Sequence, residues 1–164
     1  PYYLSEKNVE LFTRHKVYTE TELHARYEIK LDNYSKVLHI EAQTMLDMVW
    51  KDILPAASAY TKELAETVAA KKAICGGIDT SYEEKLAGHV SVLLSSATKK
   101  AEALEYALMG VKDITDTLAL ARYYRDTIFA AMTELRIIVD EMETHCAAKY
   151  WPDPSYGDIL FSVK

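Results

Sequence analysis

The chain has 164 residues, 49% of them hydrophobic, and a formal net charge of −6 at pH 7. This length accommodates one domain whose core needs neither disulfides nor metal to fold. The acidic balance argues against nucleic acid and anionic membrane surfaces as partners, because both require clustered Lys and Arg side chains.

The N-terminal segment predicts a short helix followed by the start of a long one. Ser5 is placed to cap the sequence EKNVELFTRH. Further along, Thr19 and Glu22 have the spacing of a capping box, in which each side chain accepts a hydrogen bond from the other residue's backbone N–H. A second helix is therefore expected to begin at Thr19.

Apolar residues then recur at steps of three and four, the helical period, for many turns. They are Leu23, Tyr27, Leu31, Tyr34, Leu38, Ala42, Met45, Val49, Ile53, Ala56, Tyr60, Leu64 and Val68. Pro55 lacks a backbone N–H and crowds the preceding turn, so we expect a bend there while the helix continues. A reversal at Pro55, giving a four-helix bundle, is the competing geometry. Gly76 and Gly77 end the helix.

Two more long helices follow. Thr80 and Glu83 have the spacing of a second capping box, and Gly110 weakens the last turn of the helix that they begin. Thr115 or Asp116 begins the final helix. The apolar stripes of these helices contain Tyr82, Leu86, Val90, Leu93, Leu94, Ala97, Ala101, Leu104, Leu108 and Val111, and then Leu118, Ala121, Tyr124, Ile128, Met132, Leu135, Ile138, Met142 and Cys146.

The tail after Lys149 is too apolar for a solvated end of the chain. Pro152 and Pro154 stop the final helix and lower the entropy lost when the tail is fixed. We expect an ordered tail anchored by Trp151 and Phe161. The chain geometry puts this tail near residues 68–75, or against a neighbouring enzyme surface if the bundle leaves no groove.

These patterns predict an all-α fold: a long-helix antiparallel bundle with three long helices, a short N-terminal helix and a C-terminal apolar tail. Residues 1–164 form a single helical domain. At about 1.5 Å per residue, the helix from Thr19 to Cys75 runs roughly 80 Å, well beyond the two that follow. Its first half is therefore expected to project beyond the bundle.

The projecting part of the long helix carries apolar residues that something must cover. The candidate docking surface consists of Tyr27, Leu31, Tyr34 and Leu38. The alternative is cover from within the domain by the apolar residues of the first helix, which are Val9, Leu11 and Phe12.

No catalytic, cofactor-binding or metal site is predicted from the residues themselves. No Glu stands three residues before any of the five histidines, as helical di-iron sites require. Glu141 and His145, four residues apart, are typical of a surface pair. Cys75 and Cys146 are interpreted as inert thiols, and two cysteines are too few for a disulfide framework, which favours the cytoplasm.

Three ordered blocks of the sequence resemble a known family. They are SEKNVELFTRHKVYTETELHARYEI, IEAQTMLDMVWKDILPAASAY and ARYYRDTIFAAMTELRIIVDEMETHCAAKYWPDPSYGDILFSV. Together they resemble the C-terminal helical region of bacterial type III glutamine synthetases, from Ser5 to Val163. The segment around Cys75 to Glu83 is uninformative.

The resemblance implies a parent enzyme that joins glutamate and ammonia, using ATP and a divalent metal (Mg or Mn), in stacked hexameric rings. The ligands for ATP, metal and glutamate lie upstream in that family, so no active-site residue is carried over. The implied partners are the catalytic core of the parent enzyme and other subunits of its ring. A start at Pro1 instead of Met agrees with a piece of something larger.

A second interpretation of the sequence assigns the chain to a different functional class. Three helices with no catalytic constellation also describe a free-standing, spectrin-like protein-interaction module. The uncovered apolar residues of the first half of the long helix favour the glutamine synthetase reading, as an accessory part that docks on the enzyme.

Overall fold

A computed structural model describes residues 2–154 and 156–161. Every regular element in these ranges is helical, so the all-α prediction is confirmed. In chain order the elements are a 3-10 turn (Tyr2–Leu4), α1 (Glu6–Arg14), α2 (Glu20–Met48), a π-helical segment (Val49–Ile53), α3 (Leu54–Ile74), α4 (Ser81–Met109), a 3-10 turn (Gly110–Asp113), α5 (Thr117–Tyr123), a second π-helical segment (Tyr124–Ile128), α6 (Phe129–His145) and α7 (Tyr156–Leu160). None of the described helices is long and apolar enough to cross a membrane.

The helix continues through Pro55, as predicted. α2, the first π-helical segment and α3 follow one another without a break, and the junctions keep right-handed helical angles (φ −62°, ψ −50° at Val49; φ −62°, ψ −43° at Leu54). Residues 20–74 therefore form one long helix, and the four-helix alternative, which needs a reversal, is wrong. The sequence did not predict the π-helical turn that lies directly before Leu54 and Pro55.

Three long helical segments build the bundle, as predicted: residues 20–74, 81–109 and 117–145. α4 packs along α3 and along α6, and the short connections make successive helices antiparallel neighbours. Two ion pairs join α3 to α4 beside the turn between them, Lys71 to Glu83 at 2.5 Å and Lys72 to Glu84 at 2.6 Å.

The core is the seam where the three segments meet. It contains Leu38, Ala42, Leu46, Val49, Ile53, Leu54 and Ala57 from the long helix, Val90, Leu93, Ala97, Ala101 and Leu104 from α4, and Tyr124, Ile128, Met132, Leu135 and Met142 from the last segment. Ala97 and Ala101 are fully buried. Because their side chains are single methyl groups, α4 can approach its neighbours closely at these positions.

The first capping box forms as predicted. The backbone N–H of Glu22 donates to Thr19 Oγ1 at 3.2 Å, and the backbone N–H of Thr19 donates to Glu22 Oε2 at 2.8 Å. Asp116 caps the final helix by accepting from the backbone N–H of Ala119 at 2.7 Å.

The second predicted capping box, between Thr80 and Glu83, is wrong. Thr80 is the N-cap residue, but its side chain makes no capping hydrogen bond and donates instead to Glu84 Oε1 at 2.9 Å. Glu83 is drawn away by the Lys71 ammonium group. Sequence spacing cannot anticipate this competition, because the lysine comes from the neighbouring helix.

Candidate docking surfaces

The four residues predicted to form one docking surface differ in burial. Leu38 is 6% exposed and packs in the core, so it offers no surface. Tyr27 and Leu31 are half-buried, whereas Tyr34 is 41% exposed. The predicted surface is therefore the outer end of the core stripe and not a separate face of α2.

Contacts from two directions cover this end of the stripe. The ring of Tyr3 stacks on Tyr27, with centroids 6.3 Å apart and an interplanar angle of 15°. Leu31 lines a shallow groove together with Leu118 of α5. Leu11, one of the α1 residues in the alternative prediction, is 50% exposed. The N-terminal 3-10 turn and α5 thus cover part of this stripe, whereas the alternative prediction assigned the cover to α1 alone.

The opposite side of α2 carries a second set of apolar residues. Ile29, Val37 and Ile40 are 58%, 53% and 62% exposed. They lie eight and then three residues apart, which places them on one side of the helix, away from the core stripe. Single exposed apolar residues are common on protein surfaces, but these three share one face, called here the exposed α2 face.

An apolar groove runs between α2 and α6 beside this face. Its lining includes Ile40, Thr44, Met45, Met48, Val49, Met132, Leu135, Val139 and Trp151, with charged residues Glu41, Arg136, Asp140, Glu143 and Asp153. The three methionines have flexible side chains that adapt to partners of different shape. Trp151 packs against the core from the tail.

The tail contacts the middle of α3, in the last third of the long helix. Lys149 Nζ donates to both carboxylate oxygens of Glu63, at 2.8 and 2.7 Å, and the Tyr150 hydroxyl donates to the same carboxylate. The Tyr150 ring lies 5.5 Å from the ring of Tyr60. The hydrogen bond from Lys149, followed by that from Tyr150, lowers the pKa of Glu63.

The two predicted tail anchors behave differently. Trp151 is half-buried against the core, whereas Phe161 is 81% exposed within this chain, so the alternative in which Phe161 packs against a neighbouring enzyme surface stays a prediction. The tail contacts residues 60–63 instead of the predicted 68–75. After Pro154 the chain forms the five-residue α7, whose Leu160 is 71% exposed.

Tyr124 and Arg125 of the last helical segment have polar partners. The Tyr124 hydroxyl lies 2.9 Å from Nδ1 of His39 inside the bundle, and burial raises the pKa of Tyr124. Arg125 pairs with Asp126 at 2.6 Å. Burial also raises the pKa of the Cys146 thiol, which disfavours the reactive thiolate.

One cluster of side chains was missed in the sequence. His89 of α4 lies 3.4 Å from Glu141 of α6, and the rings of His89 and His145 are 4.4 Å apart. Glu141 and His145 are visible as a pair at helical spacing, but His89 joins them only because α4 packs on α6. Aligning the two predicted helices as antiparallel neighbours could have identified the cluster, because it can bring position 89 beside positions 141 and 145.

The chain is similar in sequence to known proteins. A protein-family model described as "Glutamine synthetase C-terminal domain" matches residues 1–72. The chain is 38% identical to a glutamine synthetase of Butyrivibrio fibrisolvens, over all of this chain and 23% of that protein. It is 32% identical to a type-3 glutamine synthetase of Dictyostelium discoideum, over 96% of this chain and 22% of that protein. The third relative, from Bacteroides fragilis (strain YCH46), is 25% identical over 90% of this chain and 21% of that protein.

The resemblance to the C-terminal region of type III glutamine synthetases is thereby confirmed. The family model ends at residue 72, but the matches to individual relatives extend over 90% or more of the chain, so the helices that follow share the likeness. The chain spans between a fifth and a quarter of the length of these relatives.

Proposed function

We propose that this chain, a relative of the C-terminal region of type III glutamine synthetases, serves a longer glutamine synthetase as a non-catalytic helical part that docks on the rest of the enzyme. The parent enzyme makes glutamine from glutamate, ammonia and ATP with a divalent metal, in the cytoplasm. Other subunits of its ring assembly are further partners. The observation that carries this proposal is the likeness to glutamine synthetases along nearly the whole chain.

The pairing of acidic side chains with lysines supports a non-catalytic role. ATP-dependent ligation needs groups that hold a nucleotide, its phosphates and metal ions together. The acidic side chains near the tail and the α3–α4 turn are instead occupied by lysines, as in the pair of Glu63 with Lys149 and that of Glu83 with Lys71.

The exposed α2 face is the surface we assign to docking, and its occupant is the remainder of the longer polypeptide. The relatives that match are more than four times as long as this chain, so a parent of that length contains ample protein to cover Ile29, Val37 and Ile40. The predicted stripe lies on the other side of α2, where Leu38 is buried, so any contact made by Tyr34 and the half-buried Tyr27 and Leu31 would be a separate one.

Charged substitutions on the exposed α2 face of the full-length enzyme test the proposal. The triple variant Ile29→Glu, Val37→Glu and Ile40→Glu should weaken ring assembly, measured by light scattering after size-exclusion chromatography. Ala59→Glu, an exposed position on α3, is the matched control and should assemble normally. Unchanged assembly of the triple variant would contradict the proposed docking face.

A free-standing interaction module, the alternative function, makes a different prediction. Such a module would be stable and active in binding without a glutamine synthetase polypeptide. The coding sequence upstream of Pro1 discriminates between the two, because a glutamine synthetase core there supports the docking part and a start codon there supports the free module.

A further inference from the structure

We propose that His89, Glu141 and His145 form a binding site for one zinc ion that links α4 to α6. The three side chains come from two packed helices, and one potential ligand atom from each lies within 4.8 Å of the others. The proposal concerns this chain alone and does not depend on the docking role.

The distances are close to those of a zinc coordination sphere. Zinc binds imidazole nitrogen and carboxylate oxygen at about 2.0–2.2 Å, so two ligands of a tetrahedral site lie about 3.3–3.5 Å apart. Nε2 of His89 and Oε1 of Glu141 are 3.4 Å apart. The remaining separations are at most 4.8 Å, and coordination requires the exposed side chains to rotate so that these separations shorten.

The backbone positions suit a metal ligand set. Glu141 and His145 are four residues apart on α6, a spacing that puts both side chains on one helix face. His89 approaches from α4, and its ring stands at 82° to the ring of His145. The His89 and Glu141 side chains are 42% and 49% exposed, so an ion can enter from solvent.

An ordinary ion pair explains the cluster less completely. A salt bridge between His89 and Glu141 uses two of the three side chains and the ring contact joins His145 to His89 alone, whereas metal coordination uses all three together. Two imidazoles and one carboxylate are a ligand set that zinc favours over magnesium or calcium, which prefer oxygen ligands. Three protein ligands leave a fourth position for water.

Zinc binding to the full chain, stripped of metal by chelation, tests the proposal by isothermal titration calorimetry. We expect one ion per chain and a melting temperature that rises with free zinc, because the ion binds the folded state. His89→Gln and His145→Gln should each weaken zinc affinity by at least about tenfold, the loss that even changes outside the ligand set cause. His24→Gln, exposed on α2, is the control and should bind as the parent chain does.

Two further measurements check that the variants fold and that the unsubstituted chain itself coordinates a metal ion. Circular dichroism of the metal-free variants should match the parent chain. Co²⁺ added to the parent chain should give the intense visible absorption of a low-coordinate site without any substitution. Unchanged zinc affinity in the double variant His89→Gln/His145→Gln, or the absence of saturable binding at one ion per chain, would overturn the proposal.

Discussion

Lys149 Nζ lies 2.7 Å from the carboxylate of Glu63, which joins the tail after the last helix to the middle of α3. With Tyr150 donating to the same carboxylate, this contact gives the tail a fixed path before Trp151 reaches the core. This contact determines which part of the tail packs on the bundle and so contributes to the stability of the fold.

The first prediction concerns the pH dependence of this contact. The pKa of Glu63 lies below its ordinary value of 4.5, first because Lys149 donates a hydrogen bond to it and then because Tyr150 does. A group with a lowered pKa stabilises the fold fully above its unfolded pKa, and this contribution is lost as pH falls through the folded pKa. Glu63→Gln should therefore melt below the parent chain at pH 7, and the difference in melting temperature should shrink as the pH falls below the ordinary pKa of Glu and vanish below the lowered pKa of Glu63.

Glu28→Gln, at an exposed position of the same long helix, is the control for Glu63→Gln, since it removes one negative charge but leaves the tail contact intact. Thermal melts of the parent chain and both variants across pH provide the measurement. If the two variants melted identically at pH 7, the tail contact would make no contribution.

The second prediction compares the two residues expected to anchor the tail. Trp151→Ala should lower the free energy of unfolding by about 1–3 kcal/mol. This loss is smaller than the loss of about 3–5 kcal/mol for a fully buried aromatic side chain, because Trp151 is half-buried. Phe161→Ala should change it by no more than about 0.5 kcal/mol, because Phe161 is 81% exposed. Chemical denaturation measures both, and a larger loss for Phe161→Ala would refute the observed path of the tail.

The third prediction uses two adjacent residues on α2 with opposite environments. Leu38 is 6% exposed and Val37 is 53% exposed. Leu38→Ala should cost about 2–5 kcal/mol of stability because it leaves a cavity in the core. Val37→Ala should stay within about 0.5 kcal/mol. Equal losses in denaturant melts would mean that the register of the long helix is wrong.

The fourth prediction concerns the hydrogen bond between His39 and Tyr124 inside the bundle. The Tyr124 side chain is 3% exposed and its hydroxyl lies 2.9 Å from His39 Nδ1. Tyr124→Phe should lower stability by about 0.5–1.5 kcal/mol, the net value of such a bond. Tyr106→Phe on α4 is the control, since its ring is 79% exposed. A neutral Tyr124→Phe would show that the bond does not contribute.

Helical periodicity anticipated much of the fold. The predicted stripe from Leu23 to Val68 is buried or half-buried in the structure except at Tyr34, and the stripe from Val90 to Leu104 supplies the α4 side of the core. The continuation through Pro55 was also predictable, because the apolar register on both sides of it is that of one helix.

Contacts between distant parts of the chain were not predictable from local patterns. Tyr3 covers Tyr27, Lys71 takes Glu83 from the expected capping box, and His89 meets the pair on α6 only after the helices pack. The path of the tail likewise depends on Lys149 finding Glu63, a pairing with no local signature.

The central claim is that this chain is a non-catalytic part that docks on a larger glutamine synthetase. Its most direct test is to titrate the isolated chain into a parent polypeptide that lacks the segment corresponding to this chain. Calorimetry follows the binding. The account predicts saturable binding that is lost in the Ile29→Glu, Val37→Glu, Ile40→Glu variant, and no glutamine formation by the isolated chain with glutamate, ammonia and ATP. Turnover by the isolated chain, or equal binding by the parent chain and the triple variant, would contradict it.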